Sequence, residues 1–519
     1  MDELYTKQSV RAQRLQLPIC DRTVTTEVTG DVSLPDYQPE IKRLLRVSAT
    51  VGAPTHYISG GAMEFTGTVD YCIYYTGNDG QMVCYPTSSD YAIRLPLEAD
   101  ASFDLGDAPV CYVESHPEAI VSRVGGPRRM TVKCRLVSHV KAYASCVLEE
   151  RRQGQASVRE ERLVCEEKTS VTAYGVSAPV TVRDEILPEG LASDDVRIVS
   201  GDAVPHISEA ICANGQVMCR GEVVVKLLLS REDEGTLPTT VWRKLPLDAA
   251  VPLEGAVVGG EAVASGCCTE LSLRMEDGRV LCEVELLLEA RARREETVTY
   301  SCDVYEIGRQ SEVKTIPYRL PCVLRCVNTN FTQSEARPLS ELGLAPMDVV
   351  DVGGVATLER VEIERGRYVL LGKCRYTLIL SGGEGESEMV VRELELPVRY
   401  VLDGAAVGDI TSYEGQINVL STRARMDAER LAIDAEMGVW LCLEGNREIC
   451  AVSEVTVGDE LARPRGEMLL CYPAPGDTLW SVGKHYAVPL DTLHAVNRLP
   501  SAPRADAPTS LGDASVLVV

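Results

Sequence analysis

A template of about 150 residues runs three times through this 519-residue chain, so its fold must be built from three copies of one unit. Four marks keep step. Val47-Ser-Ala, Val199-Ser-Gly and Val352-Gly-Gly come first. A glycine follows at the same place in a strand-like stretch: Gly67, Gly221 and Gly372. Pro96, Pro246 and Pro397, each preceded by Leu, are spaced 150 and 151 residues apart. The last mark is an alternating run that begins at Met130, Val280 and Leu431. A triplicated scaffold with no repeated polar cluster reads as a multi-point binder.

Patterning points to β structure. Phe65, Val69, Ile73 and Tyr75 alternate with polar neighbours, the period-2 mark of a half-buried strand. Thr76-Gly-Asn-Asp-Gly80 supplies residues that tolerate positive φ and predicts a hairpin, matched at 231–235 and 381–385. The Leu-Pro step should end the strand after that turn, because proline cannot donate to an inner ladder. With 5% aromatic residues the cores must be Val, Leu, Ile and Ala, a β-rich bias. The expected fold is mainly β: three tandem sandwich- or barrel-like repeats and a small α+β domain. Pro39–Arg46 is read as the one helix of the repeats, with Ile41, Leu44 and Leu45 on one side.

The expected organisation is an N-terminal lead at 1–19 with a turn or two of helix, then repeat one at 20–145. A connector at 146–183 leads to repeat two at 184–310. A second connector at 311–335 precedes repeat three at 336–460, and a linker at 461–470 ends in a separate domain at 471–519. The charged stretch 149–162 is read as a solvated connector or exposed hairpin.

A net charge of −25 excludes a phosphate-neutralising face, so no nucleic-acid partner is expected. Arg291–Arg294, the densest basic stretch, is read as a solvated strand edge beside Glu295 and Glu296. Met1–Gln8 lacks a basic start followed by an apolar run, and Lys226 breaks the apolar run Val223–Leu229. Neither a secretory leader nor a transmembrane segment is expected, which places the protein in the cytoplasm. The 19 cysteines are scattered and read as small buried hydrophobes, with Cys267-Cys268 and Cys322-x3-Cys326 the only close pairs. Neither pair has a partner at zinc-site spacing.

No HExxH, GxSxG or GxxxxGK[ST] pattern occurs, so no catalytic residue, metal or cofactor is expected and the chain reads as a non-enzyme.

In the tail, Gly476 allows a tight turn, Asp477 or Thr478 can cap a helix, and Leu479, Val482 and Tyr486 share its face. Pro489 or Asp491 opens a second helix with the stripe Leu490, Leu493 and Val496; Asn497 closes it, and Val516–Val519 supplies a strand. The run Pro475-Gly-Asp-Thr-Leu-Trp-Ser481 with Asn497-x-Leu499 resembles the LysM family of N-acetylglucosamine-polymer-binding modules. The resemblance implies a groove between two loops, one with Gly476, Asp477, Thr478 and Leu479 beside Trp480, the other with Asn497, Arg498 and Leu499. Two departures stand out: Gly483 inside the first helix, and a stretched loop at Pro500–Ser510.

Leu34-Pro-Asp-Tyr-Gln-Pro-Glu-Ile41-Lys-Arg-Leu44-Leu45-Arg-Val47 resembles the opening of the SPOCS domain of sporulating Firmicutes. SPOCS-type repeats followed by one LysM domain are similar to the spore coat morphogenetic family. That resemblance implies a non-enzymatic mother-cell adaptor recruited to the forespore surface and the spore coat. Its partners would be a coat-basement ATPase of the SpoIVA type and other coat proteins, with the LysM domain as docking module. The alternative is binding of peptidoglycan or a lipid-linked glycan precursor.

Overall fold

The computed structural model describes residues 13–59, 61–97, 103–104, 109–154, 159–187, 196–231, 237–382, 389–461, 468–503, 509–511 and 514–519. The first module holds β1 (Gln13–Ser33), β2 (Arg43–Val51), β3 (Thr55–Ser59), β4 (Ala62–Thr76), β5 (Met82–Pro96), β6 (Phe103–Asp104), β7 (Val110–Gly126) and β8 (Arg129–Leu148), followed by β9 (Arg151–Gly154). The second holds β10 (Glu160–Val176), β11 (Val180–Ile186), β12 (Val196–Ala213), β13 (Gln216–Arg231), β14 (Thr239–Pro252), β15 (Glu261–Glu276) and β16 (Arg279–Glu306). The third holds β17 (Arg309–Pro338), the single turn α1 (Leu339–Leu342), β18 (Asp348–Glu364), β19 (Arg367–Ser381), β20 (Met389–Val401), β21 (Ser412–Met426) and β22 (Arg430–Glu460). The tail contributes β23 (Leu470–Cys471), α2 (Leu479–Tyr486), α3 (Leu490–Asn497) and β24 (Leu517–Val518).

The three modules share one topology. The last strand (β8, β16 or β22) is the centre of one sheet, with the module's first strand on one side and its penultimate strand on the other. Of the intervening strands, β6 and β11 add to that sheet, and the others form a second antiparallel sheet centred on β4, β13 or β19. Side chains from both sheets interdigitate: Val223, Val225, Leu227 and Leu229 of β13 share a core with Val280, Val284, Leu286 and Leu288 of β16. Each module is therefore a sandwich of two open sheets, and the chain is mainly β.

The marks now acquire causes. Gly221 and Gly372 lie opposite bulges in β12 and β18, where the register slips between Ile207 and Glu209 and between Leu358 and Arg360. A Cβ there would press into the carbonyl of His206 or Thr357. At Gly67 it would meet the Tyr91 hydroxyl at 2.6 Å. The hairpin at 76–80 forms, with Gly77 N–H donating to Gln81 O at 3.1 Å and Gly80 at φ +78°. Its counterparts at 232–235 and 383–385 lie outside the described residues. Pro96 ends β5, but β14 and β20 run past Pro246 and Pro397, because both are outer strands where a missing donor costs nothing.

Several expectations need correction. Pro39–Arg46 forms no helix, and from Arg43 onward it is strand: Leu44 packs into the module core while Leu45 turns to the opposite side, and the Ile41 and Lys42 amides donate to Pro127 O and Thr76 O. The lead beyond residue 12 is also strand, with Leu15, Leu17 and Ile19 buried at alternate positions. Residues 311–335 are strand throughout, and 146–183 carries β9, β10 and the start of β11. These segments are the edge strands that each central strand requires, so strand pairing draws the modules at 13–148, 160–306 and 309–460.

The modules also pack against one another. Val223–Leu229 is apolar at every position but Lys226 because both of its faces are covered: Val223, Val225, Leu227 and Leu229 fill their own module, while Leu228 joins Leu45, Tyr74, Val350 and Ile379 from the other two. A cavity of about 920 Å³ lies between the modules, lined by Ser48, Ser200 and Gly353 from their equivalent β2, β12 and β18 strands.

Candidate functional site

At the module junction the equivalent strands bring different residues together. Tyr143, Arg293 and Glu444 each stand fourteen positions after the first residue of β8, β16 and β22. Lys141, Arg291 and Cys442 stand twelve after it, and their cross-strand partners are Tyr112, Val263 and Glu414. All five charged side chains among these are nearly solvent-free. Lys141 Nζ lies 2.8 Å from Glu444 Oε2, Arg293 Nε donates to Glu444 Oε1 at 3.0 Å, and Tyr143 donates to the same carboxylate. Arg293 also pairs with Glu414, and the Arg291 guanidinium lies over Tyr112 and Trp440 at 4.7 and 4.5 Å. Burial pushes Glu414 up, but Arg293, Lys141 and Arg291 outweigh it and hold its carboxyl at about 2.

This corrects the reading of Arg291–Arg294 as a solvated edge: Arg291 and Arg293 are buried. Glu414, Cys442 and Glu444 lie close enough to share a metal ion. Arg293 already donates to both carboxylates, so its guanidinium holds the place a cation would take. A second ion cluster joins the modules at Asp351, which meets Arg46 Nη1 at 2.9 Å and Lys226 Nζ at 2.6 Å. Burial raises the Asp351 carboxyl, and the two cations bring it below its ordinary value.

The tail is an α+β head seated on the second module. Thr478 caps α2 and forms a capping box with Ser481, while Asp477 accepts from Ser481 Oγ at 3.2 Å and from the Ala474 amide at 2.7 Å. Gly476 takes φ +97°. The Asn497 side chain donates to Val518 O and accepts from Val518 N–H, tying the end of α3 to β24, and Arg498 closes α3 in the left-handed region. Leu479, Trp480 and Leu499 are buried.

Of the expected loop residues, Gly476 and Arg498 are exposed, while Asp477, Thr478 and Asn497 are half-buried and spend their polar atoms within the head. The Leu479 amide donates to Thr509 O at 2.8 Å and Thr478 bridges to Ser510, so the loop after α3 returns onto the first loop. Residues 504–508 of that loop lie outside the described set. Val496, expected on the apolar stripe of α3, is exposed.

Trp480 points to the body. Its indole donates to Asp303 at 2.8 Å and meets the Tyr305 ring edge-on at 5.1 Å. Lys484 reaches the same carboxylate at 2.6 Å, and Tyr305 donates to Val488 O at 2.8 Å. Gly483 now has a reason: a Cβ would meet the Tyr305 hydroxyl and Leu490 Cδ2, each at 2.5 Å. Met468, Leu470 and Tyr472 are exposed by 74, 46 and 72%, and Val516, two residues before Leu470's register partner Val518, is exposed too. The sequence reading missed this surface; its signal was an apolar run, Met468-Leu-Leu-Cys-Tyr472, in which only Cys471 faces the head's core.

Neither the family models nor the curated proteins searched match this chain. Among the described residues no helix is long and apolar enough to cross a membrane.

Proposed function

We propose that this chain is a non-enzymatic assembly adaptor of the spore-coat kind, a SipL-like morphogenetic protein with SpoVID as a more distant analogue. It acts in the mother-cell cytoplasm and is recruited to the forespore surface. The observation that carries the reading is the exposed apolar face of the head, Met468, Leu470 and Tyr472. A head clamped by Trp480 and Tyr305 to a large body offers that face in a fixed direction, which suits docking to a protein surface. The partner in this reading is a coat-basement ATPase of the SpoIVA type, with other coat proteins gathered on the three sandwiches.

A fluorescent fusion followed through sporulation tests the assignment: a shell around the forespore supports it, and diffuse signal throughout development refutes it. The glycan alternative is separated by sedimentation with insoluble peptidoglycan. The adaptor reading expects the full chain to stay in the supernatant, since Thr509 and Ser510 already occupy the first loop's backbone.

A further inference from the structure

Cys326 and Cys442 are direct register partners on the antiparallel strands β17 and β22, and their sulfur atoms lie 3.2 Å apart. Cβ atoms of directly opposed strand residues lie roughly 4.5–5.5 Å apart, close to the ~3.5–4.5 Å a disulfide spans, so a small approach suffices. Cys72 and Cys84, and Cys165 and Cys302, also neighbour one another, but Cys72 is opposite Pro86 and Cys165 opposite Tyr300. Those pairs are diagonal, where the separation grows by several ångströms. Cys267 and Cys268, adjacent in one strand, point to opposite faces.

We propose that Cys326 and Cys442 are an oxidative modification site: a peroxide converts this pair, ahead of the other cysteines, into a disulfide stapling the first strand of the third module to its last. Cys326 is half-buried and meets the oxidant first, whereas Cys442 is buried with Val263 and Trp440 at the junction. The Cys326 sulfur takes one oxygen from the peroxide, giving a sulfenic acid and one water. The Cys442 sulfur then attacks it; the S–S bond forms, the S–O bond breaks, and the departing hydroxide leaves as water with the Cys442 proton. Two thiols are oxidised and one peroxide is reduced. The bond encloses the 116-residue separation between the two positions, so it restricts the unfolded chain strongly.

The test treats the full chain with hydrogen peroxide, blocks remaining thiols, and maps cross-linked peptides without reduction, beside a urea titration with and without dithiothreitol. We expect the 326–442 linkage to be the predominant cross-link and the urea midpoint of the oxidised protein to exceed that of the reduced one. Cys326→Ser should abolish both effects. Mapping the unsubstituted protein decides the linkage even if that variant folds poorly. Recovery of Cys326 as a free thiol or a sulfinic acid, or predominant cross-links elsewhere, overturns the site. An unchanged midpoint despite the linkage overturns the staple.

Discussion

Lys141 of the first module and Glu444 of the third lie 2.8 Å apart, with 2 and 9% of their side chains exposed. Arg293 of the second module donates to the same carboxylate. One acid thus joins all three copies, and removing it takes the nearest carboxylate from Lys141 and one of two from Arg293. Glu444→Ala should cost about 3–5 kcal/mol, as breaking buried ion pairs does. Lys141→Met combined with Glu444→Gln should cost less than the two single changes added together. Urea denaturation of the four proteins gives the coupling; full additivity would mean the modules are not joined here.

Glu414 contributes to the acid limb of stability. Its carboxyl sits at about 2 in the folded protein against 4.5 ordinarily, so the unfolded state binds a proton more readily. The stability it contributes is complete above pH 4.5 and is lost as pH falls toward 2. Glu414→Gln should be less stable at neutral pH and show a shallower loss between those limits. Unfolding free energies across that range, followed by circular dichroism, measure the slope.

The repeat glycines differ in what stands over them. At Gly221 and Gly372 a Cβ meets backbone carbonyls that the opposing bulge fixes, whereas at Gly67 it meets the Tyr91 ring, which can turn aside. Gly221→Ala and Gly372→Ala should each cost about 1–3 kcal/mol, with Gly67→Ala nearer the low end. Thermal unfolding of the three variants ranks them.

Gly483→Ala should raise the helix propensity of α2 yet weaken the protein, because the added methyl strikes Tyr305 and Leu490 across the docking contact. Tyr305→Phe removes only the bond to Val488 O and should cost about 1 kcal/mol. Limited proteolysis between body and head reads both: cleavage should speed up in each variant, and more in Gly483→Ala.

The repeat was legible because sheet register enforces it. Gly221, Pro246 and Val280 must keep their spacing for β13, β14 and β16 to meet in one sandwich. The caps of α2 were legible for a similar local reason, since Thr478 and Ser481 need only each other. The edge strands at 146–183 and 311–335 were hidden because their charges, such as Glu166 and Lys168, face solvent and imitate a connector. Pro39–Arg46 imitated a helix because Leu44 and Leu45 serve two different cores. The junction was hidden for a deeper reason: Tyr143, Arg293 and Glu444 are equivalent positions whose chemistry is complementary between copies, so no polar motif recurs. Lys141, Arg291 and Arg293 stand on the alternation that faces away from their own modules' cores, where a charge reads as solvated.

The claim that the head's apolar face docks a coat protein is tested most directly by capture of a SpoIVA-type ATPase on immobilised full-length chain. Leu470→Asp with Tyr472→Asp changes only exposed positions on that face. The account predicts capture by the unsubstituted chain and a loss of roughly tenfold or more in the double variant, with thermal stability retained. Equal capture by both proteins, or none by either, would contradict it.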